Sequence, residues 1–594
     1  MAQTHDARYG GAVAKQPKTA VETALARFFE KARKNGGARH FSLPGGSTLY
    51  GAGEPADELY YLQAGRLGAF RREEGQEQQF LGVIRPGEPA GEMALIAGTP
   101  HSAAVVALRD SEILALPRAE FFKVVDSASG VMTELARLMI LRARQTSKPD
   151  TLGAPSVFGL IAVDGGAPIR GLVGQIAAEV EKLGYSVAVV GADAVQASTE
   201  WFSNLETAHD FILYCAEHGE SAWKSMVGRQ VDRLLWVGHG DREPPREFAG
   251  HASDPLQAQQ LVDLLLIQPP GRKAQGSEAW LDVAKAARLF HVHRDDKAGI
   301  ARIARVLTGQ SVGLVLSGGG ARAYAHVGAI RALREFGVPV DFIGGSSMGA
   351  MIGAGLALGW DREEMDRRMR AAFVESSPIA DIAFPMIAMS RGNKVRALLE
   401  EHFGEVQIAD LPLPFFCVSS NLTTGAYHLH RRGLLRRALR ASIALPGVLP
   451  PVTEDADVLV DGAVIKNFPA DVMRACHLGT VIGVDVTRGR SISAAEVNSP
   501  PRFWRWLLSG KWRQGPPIVA LLMRAATVST GRDLIASREA TDVLILPKVD
   551  RIDIRNWRAY DPAVAAGYQA AVDAISALTT PVTELHRRQP RATR

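Results

Sequence analysis

Cysteine is scarce. The 594 residues hold three, Cys215, Cys417 and Cys476, far apart and in or beside apolar stretches. That spacing argues against a disulfide framework or a cysteine-built zinc site and makes a reducing compartment the expectation. Long apolar runs are missing too: nothing approaches the ~18 consecutive apolar residues that cross a bilayer, and Met1–Thr19 lacks the apolar centre of a signal peptide. The expected setting is the cytoplasm, with at most a peripheral place on a membrane. Charge of one sign is also weak, at +5 with Lys and Arg dispersed except near Arg431–Arg440 and at the C-terminus, and no nucleic-acid partner is expected. What is present is ordinary for folded domains, 46% hydrophobic and 22% charged residues, in a chain too long for one core.

The most informative stretch is Ser311–Gly359. An apolar run, Val312–Leu316, reads as a buried strand emptying into Ser317-Gly318-Gly319-Gly320 and then a helix. A second run, Val338–Ile343, reads as a strand ending in Gly345-Ser346-Ser347-Met348-Gly349, with a small-residue helix over Ala350–Leu358. Gly-x-Ser-x-Gly alone is a weak signal. Between a strand and a helix it is the nucleophile elbow, whose sharp turn glycine neighbours tolerate. Ser347 holds the central position and Ser346 does not. The N–H groups of Gly318, Gly319 and Gly320 can bind an oxyanion, with Arg322 close enough to reinforce them. The base stays open on these grounds among Asp461, at a strand end in Asp461-Gly462-Ala463, and the histidines His326 and His477.

Upstream, residues 1–18 are polar and expected to be disordered. Thr19–Lys34 has helical spacing, and glycines then punctuate short β-branched and aromatic runs, the pattern of a small antiparallel roll. Leu49-Tyr50-Gly51, Asp57-Glu58-Leu59-Tyr60-Tyr61-Leu62, Gly65-Arg66-Leu67 and Pro86-Gly87-Glu88 resemble a cyclic-nucleotide-binding domain. The resemblance implies a phosphate-binding turn at Pro89–Leu95, where Gly91 opens a helix and Glu92 accepts from the ribose hydroxyl. It also implies an arginine against the phosphate, in the segment Pro100-His101-Ser102. This chain has His101 there, so the charge-assisted guanidinium contact is missing. The roll is therefore expected to be a structural or docking module, with cyclic nucleotide a doubtful ligand. Arg118–Thr146 reads as one connecting helix, ended by Lys148-Pro149 and a linker to Pro155.

Ser156–Pro269 alternates strand-like and helix-like segments, which points to an open, Rossmann-like α/β sheet. Asp164-Gly165-Gly166 follows its first strand, but no phosphate loop or dinucleotide fingerprint is present, so a spacer is expected. His291 and His293 share a strand face without an evident third ligand. No metal and no cofactor are expected.

Gly-Gly-Gly-x-Arg, Gly-x-Ser-x-Gly and Asp-Gly-Ala, in this order, with Ser442–Gly447 and Pro450-Pro451-Val452 before the last, resemble the patatin-like phospholipases. That family uses a Ser-Asp dyad without histidine. The match puts the nucleophile at Ser347 and the base at Asp461. One departure is Ala323, where the family has glycine after the arginine. The domain order, roll then α/β spacer then patatin domain, is similar to the neuropathy target esterase family of lysophospholipases. The fold class expected is thus multidomain: a disordered 1–18, a cyclic-nucleotide-binding-like β-roll with flanking helices over 19–147, a Rossmann-like α/β domain over 156–300, an α/β patatin-like hydrolase domain over 311–580, and a basic tail over 581–594. By resemblance the substrate is a phospholipid or lysophospholipid and fatty acid a product. Other readings are a regulatory or docking protein with a residual hydrolase domain, and acyl transfer to an acceptor other than water by the same dyad. Membrane contact would fall to Pro501–Arg513, which interleaves Phe503, Trp504, Trp506 and Trp512 with arginines. Arg432, Arg436 and Arg440 share a helical face that is either solvated or meets phosphates.

Overall fold

The computed structural model describes residues 24–71, 79–125, 130–145, 155–246, 248, 261–293, 296–376, 381, 387–487 and 530–587. The expected disordered start, the linker short of Pro155, the segment Pro501–Arg513 and the end of the basic tail lie outside them. Two compact units form, residues 1–153 with 197–204, and 154–196 with 205–594.

In the first unit, glycine turns cut the chain into eight short strands. These are β1 (Arg39–Leu43), β2 (Thr48–Tyr50), β3 (Glu58–Ala64), β4 (Leu67–Arg71), β5 (Gln79–Ile84), β6 (Pro89–Ala90), β7 (Ala104–Ala107) and β8 (Ser111–Pro117). They pair antiparallel in two sheets, β1-β8-β3-β6 and β2-β7-β4-β5. Helices α1 (Ala24–Lys34), α2 (Glu92–Ala97), α3 (Arg118–Val125) and α4 (Val131–Gln145) flank this roll. Leu25, Phe28 and Phe29 pack with Leu59, Leu114, Phe121 and Leu135 in its core. The single helix expected over 118–146 is two, because Gly130 stands at φ 94, a left-handed conformation that a right-handed helix cannot run through.

The second unit holds two sheets. The first contains β9 (Val157–Ala162), β10 (Val187–Val190), β11 (Phe211–Ala216), β12 (Arg233–His239), β13 (Leu261–Gln268) and β14 (Arg288–His293), all parallel in the order β10-β11-β9-β12-β13-β14. Every residue of β9 and β11 is buried, as a parallel sheet covered on both faces requires. Helices α5 (Ile169–Lys182) and α6 (Lys297–Thr308) pack beside it.

The second sheet contains β15 (Val312–Leu316), β16 (Phe342–Ser346), β17 (Phe415–Asn421), β18 (Tyr427–His430), β19 (Val452–Glu454), β20 (Asp457–Asp461), β21 (Thr480–Val484) and β22 (Val543–Ile545). Its order is β19-β20-β17-β16-β15-β21-β22, with β18 also on β17. β15, β16, β17, β21 and β22 run parallel, and β18 and β20 run antiparallel to β17. Its helices include α7 (Ala325–Glu335), α8 (Ser347–Ala357), α9 (Leu435–Ser442) and α10 (Tyr560–Ser576). Gly328 and Gly567 let α7 and α10 touch backbone to backbone, since a Cβ at either would strike a main-chain atom of the other helix.

The two sheets of this unit share one core. Phe158, Leu160, Phe211 and Phe290 of the first pack in the same cluster as Val315, Phe342, Phe416, Phe468 and Val481 of the second. Asp341 joins them by charge: its fully buried carboxylate takes Arg305 Nε of α6 at 2.9 Å and the Val312 N–H at 3.0 Å.

Candidate active site

The strand expected over Val338–Ile343 runs instead over Phe342–Ser346 and passes directly into α8, so Ser347 is the first helical residue. Ser347 takes a φ of 52°, one of three positive values at non-glycine positions among the described residues. A side chain in that region is strained by about 1–3 kcal/mol and persists only where its surroundings enforce it. The flanking glycines explain the enforcement. A Cβ at Gly345 would meet the backbone of Gly349 and Ala350, and one at Gly349 would meet the carbonyls of Leu316 and Ser317. The turn is thus closed on both sides by main chain.

β17 supplies the register that brings the pair together. Ser346 lies opposite Val418 and Asp461 lies opposite Ser419, so the ends of β16 and β20 arrive at consecutive residues of one strand. Ser347 Oγ donates to Asp461 Oδ2 at 2.7 Å. The other carboxylate oxygen accepts the Ala463 N–H at 2.9 Å, and the Asp461 N–H is fixed on the Ala444 carbonyl. Asp461 is 2% exposed and Ser347 8%. Burial pushes the Asp461 carboxyl up to about 6, against the pull of its bonds to Ala463 and Ser347. Gly462 must be glycine because a Cβ would strike Ser346 Oγ and the Val418 carbonyl.

The glycine loop after β15 uses its three glycines differently. Gly318 donates its N–H to the Asn467 carbonyl at 3.2 Å, and a Cβ there would press on Ser347 Cβ and Asn467. A Cβ at Gly319 would meet Val486. Gly320, at φ 55, lies against the Ile554 carbonyl. Arg322 Nε donates to the Ile552 carbonyl at 2.7 Å, bracing the loop from behind. Ala323 is fully buried and has no positive φ, so its methyl group is compatible with the turn.

Neither rival histidine meets the serine. His326 Nε2 bonds the Ser317 carbonyl at 2.8 Å, and His477 Nδ1 bonds Ser311 Oγ and the Gly479 N–H. Burial lowers His326 to about 4 and His477 to about 3, so both are neutral packing groups. Ser346 Oγ is buried without a hydrogen-bond partner among the described residues, so it does not bond Asp461. Two positioning contacts go beyond the motifs. Ser442 Oγ accepts the Ser347 N–H at 2.9 Å while donating to the Val418 carbonyl at 2.7 Å. Asn467 Nδ2 bonds the Gly318 carbonyl at 3.4 Å and Thr487 Oγ1 at 2.6 Å. Ser442 opens a segment the motifs single out, but its oxygen's partner is set by tertiary packing alone.

In the roll, Gly91 stands at φ 83 before α2, and Glu92 is 2% exposed. Its carboxylate is held by Arg142 of α4, at 2.5 Å, which also binds Glu88 and the Pro89 carbonyl. His101 stacks on Tyr50 with ring centroids 3.7 Å apart, its pKa lowered by burial, and Ser102 is exposed. Elsewhere Asp164 accepts the His239 backbone N–H at 3.0 Å and bonds its ring at 2.8 Å. His291 bonds Gln268 and the Ala409 carbonyl, and His293 the Pro269 carbonyl. The three arginines expected on one face are partnered: Arg432 with Glu278 and Asp282, Arg436 with Glu405, and Arg440 with the Pro450 carbonyl. Arg432 precedes α9, so only the other two lie on that helix. Trp504 and Trp506 lie outside the described residues.

Comparison with known proteins agrees with this architecture. The model of the patatin-like phospholipase family matches residues 314–474, and that of the cyclic nucleotide-binding domain matches residues 40–128. Fold and family match together define a patatin-like lipid ester hydrolase carrying a cyclic-nucleotide-binding-type domain. The chain is 32% identical over 552 residues to an uncharacterised NTE family protein of Mycobacterium tuberculosis, covering 90% of this chain and 91% of that one. It belongs to the NTE family. It is also 27% identical over 605 residues to the neuropathy target esterase of Drosophila melanogaster and 28% over 600 residues to patatin-like phospholipase domain-containing protein 6 of Mus musculus. These matches cover 89% of this chain but 42% and 44% of the animal proteins, so it spans under half of their length.

Proposed function

We propose that the chain hydrolyses the acyl esters of phospholipids or lysophospholipids, with Ser347 as nucleophile and Asp461 as the base. The observation that carries this reading is the 2.7 Å bond between Ser347 Oγ and a buried carboxylate whose pKa is raised to about 6. At neutral pH such a group is mostly ionised yet basic enough to take the serine proton. As Oγ attacks the ester carbonyl, its proton passes to Asp461 Oδ2 and the carbonyl oxygen becomes an oxyanion. With the Gly318 N–H given to Asn467, the oxyanion falls to the N–H groups of Gly319 and Gly320, at ~3 kcal/mol each. The start of α8 at Ser347 adds the positive end of a helix dipole. Collapse expels the alcohol, which leaves with the proton from Asp461. Asp461 then deprotonates water, and attack on the acyl-serine releases fatty acid. The names of the fly and mouse relatives, an esterase and a phospholipase domain protein, support the same chemistry.

Among the described residues, no helix is long and apolar enough to cross a membrane. The proposed site of action is a membrane surface, with Trp504 and Trp506, which interleave with arginines in the sequence, as the proposed contacts. The test is hydrolysis of lysophosphatidylcholine, diacyl phospholipid and triacylglycerol by the wild type, Ser347→Ala and Asp461→Asn. Each variant should lose turnover by on the order of 10⁴-fold or more, and a fluorophosphonate probe should label only chains with an activated Ser347. Turnover by Ser347→Ala would remove the serine from the mechanism. Liposome flotation of Trp504→Ala and Trp506→Ala checks the membrane contact, which unchanged binding would rule out.

A further inference from the structure

His428 and His430 stand two apart on β18 and so face the same side of the sheet. Glu454 closes β19 at the turn of the β19–β20 hairpin. One potential ligand atom from each of the three lies within 4.8 Å of the other two, and His428 Nε2 is 4.0 Å from Glu454 Oε2. His430 is buried, and its Nε2 is held at 2.8 Å by Ser419 Oγ. That leaves Nδ1 as the ring nitrogen for another partner. A serine on the far nitrogen is the kind of outer contact that fixes the tautomer and angle of a metal-binding imidazole.

We propose that His428, His430 and Glu454 bind one divalent cation of the zinc class. Two imidazoles and one carboxylate form a familiar N/O set for that ion, with the fourth tetrahedral position left to water. Ligand atoms around zinc stand about 3.3–3.5 Å apart, given metal–ligand bonds near 2.1 Å. The three groups need to close by up to about 1.5 Å from their 4.8 Å envelope, a matter of side-chain torsions. The ion would tie β18 to the hairpin whose second strand ends in Asp461. Ser419 would sit between the two functions, opposite His428 on one neighbouring strand and opposite Asp461 on the other. The site is a clip for the strand that carries the carboxylate and takes no part in acyl transfer.

The test uses the full, untagged, metal-stripped chain and zinc chloride alone, read by equilibrium dialysis with elemental analysis and by calorimetry. The wild type should bind one equivalent and melt at a higher temperature with zinc than without. His428→Ala and Glu454→Gln change partly exposed side chains and leave the buried His430 in place. Each should weaken binding by about 100-fold or more and abolish the thermal gain. No stoichiometric zinc in the wild type overturns the proposal, as does an equivalent of equal affinity in both variants.

Discussion

Asp461 is under two opposed demands. As the proposed base it must be ionised, and as a buried group it resists ionisation. With its carboxyl raised to about 6, kcat/KM should rise with pH through that value and level off above it, while Asp461→Asn leaves no such limb. The same shift has the opposite sign for stability. The folded state holds the proton over the range between 3.8 and about 6, where the unfolded chain releases it, so this group's contribution is fully present below 3.8 and lost as pH rises through 6. The loss is at most about 3 kcal/mol for two pKa units. Asp461→Asn should therefore melt above the wild type at pH 7.5, with the gap closing at pH 4, and identical profiles would contradict the assigned burial. Ser442→Ala is expected to cost about 1–3 kcal/mol, because it leaves the Ser347 N–H buried and unpaired, and to slow turnover with KM little changed. The serine was legible from Gly-x-Ser-x-Gly between two apolar segments. The carboxylate was not legible from its own neighbours, because Asp before Gly reads as a turn, and only resemblance singled it out. The use of Ser442 Oγ depends on contacts 95 residues apart in the chain.

Elements explain where the sequence reading slipped. Val338-Pro339-Val340 is apolar enough to pass for a strand, but Pro339 has no N–H for a ladder, and pairing begins only at Phe342. Asp341 makes that start possible by bonding the Val312 N–H and Arg305 at once. Removing one partner of a buried ion pair strands the other, so Asp341→Ala should lower stability by about 3–5 kcal/mol in denaturant melts. A loss below 1 kcal/mol would show that the pair is not buried in solution. His428-x-His430 has the same i, i+2 spacing as His291-x-His293, and local sequence cannot rank them. Glu454 singles out the first through a hairpin that doubles back to β17, while backbone carbonyls and Gln268 occupy the second.

At the scale of the whole chain, the roll keeps the outline of a cyclic-nucleotide-binding-type domain while residues of the turn that resemblance assigns to the ligand are engaged with other side chains. Arg142 holds Glu92, the residue that resemblance assigns to a ribose hydroxyl, and His101 lies on Tyr50. Calorimetry with cyclic AMP and cyclic GMP on the full chain should show no saturable heat at micromolar ligand, and such heat would restore the nucleotide reading. Glycine spacing made the roll legible, but the reach of Arg142 from a later helix did not show in the chain order. The shared core of the second unit has a consequence for how the chain is made. The parallel sheet has all six strands once His293 has been added, yet Phe342, Phe416 and Phe468, which pack into its core, come later. At ordinary translation speeds the growing chain carries that uncovered apolar surface for on the order of ten seconds or more before Phe468 follows. The last-made part of this unit is thus what closes the core of the sheet made before it.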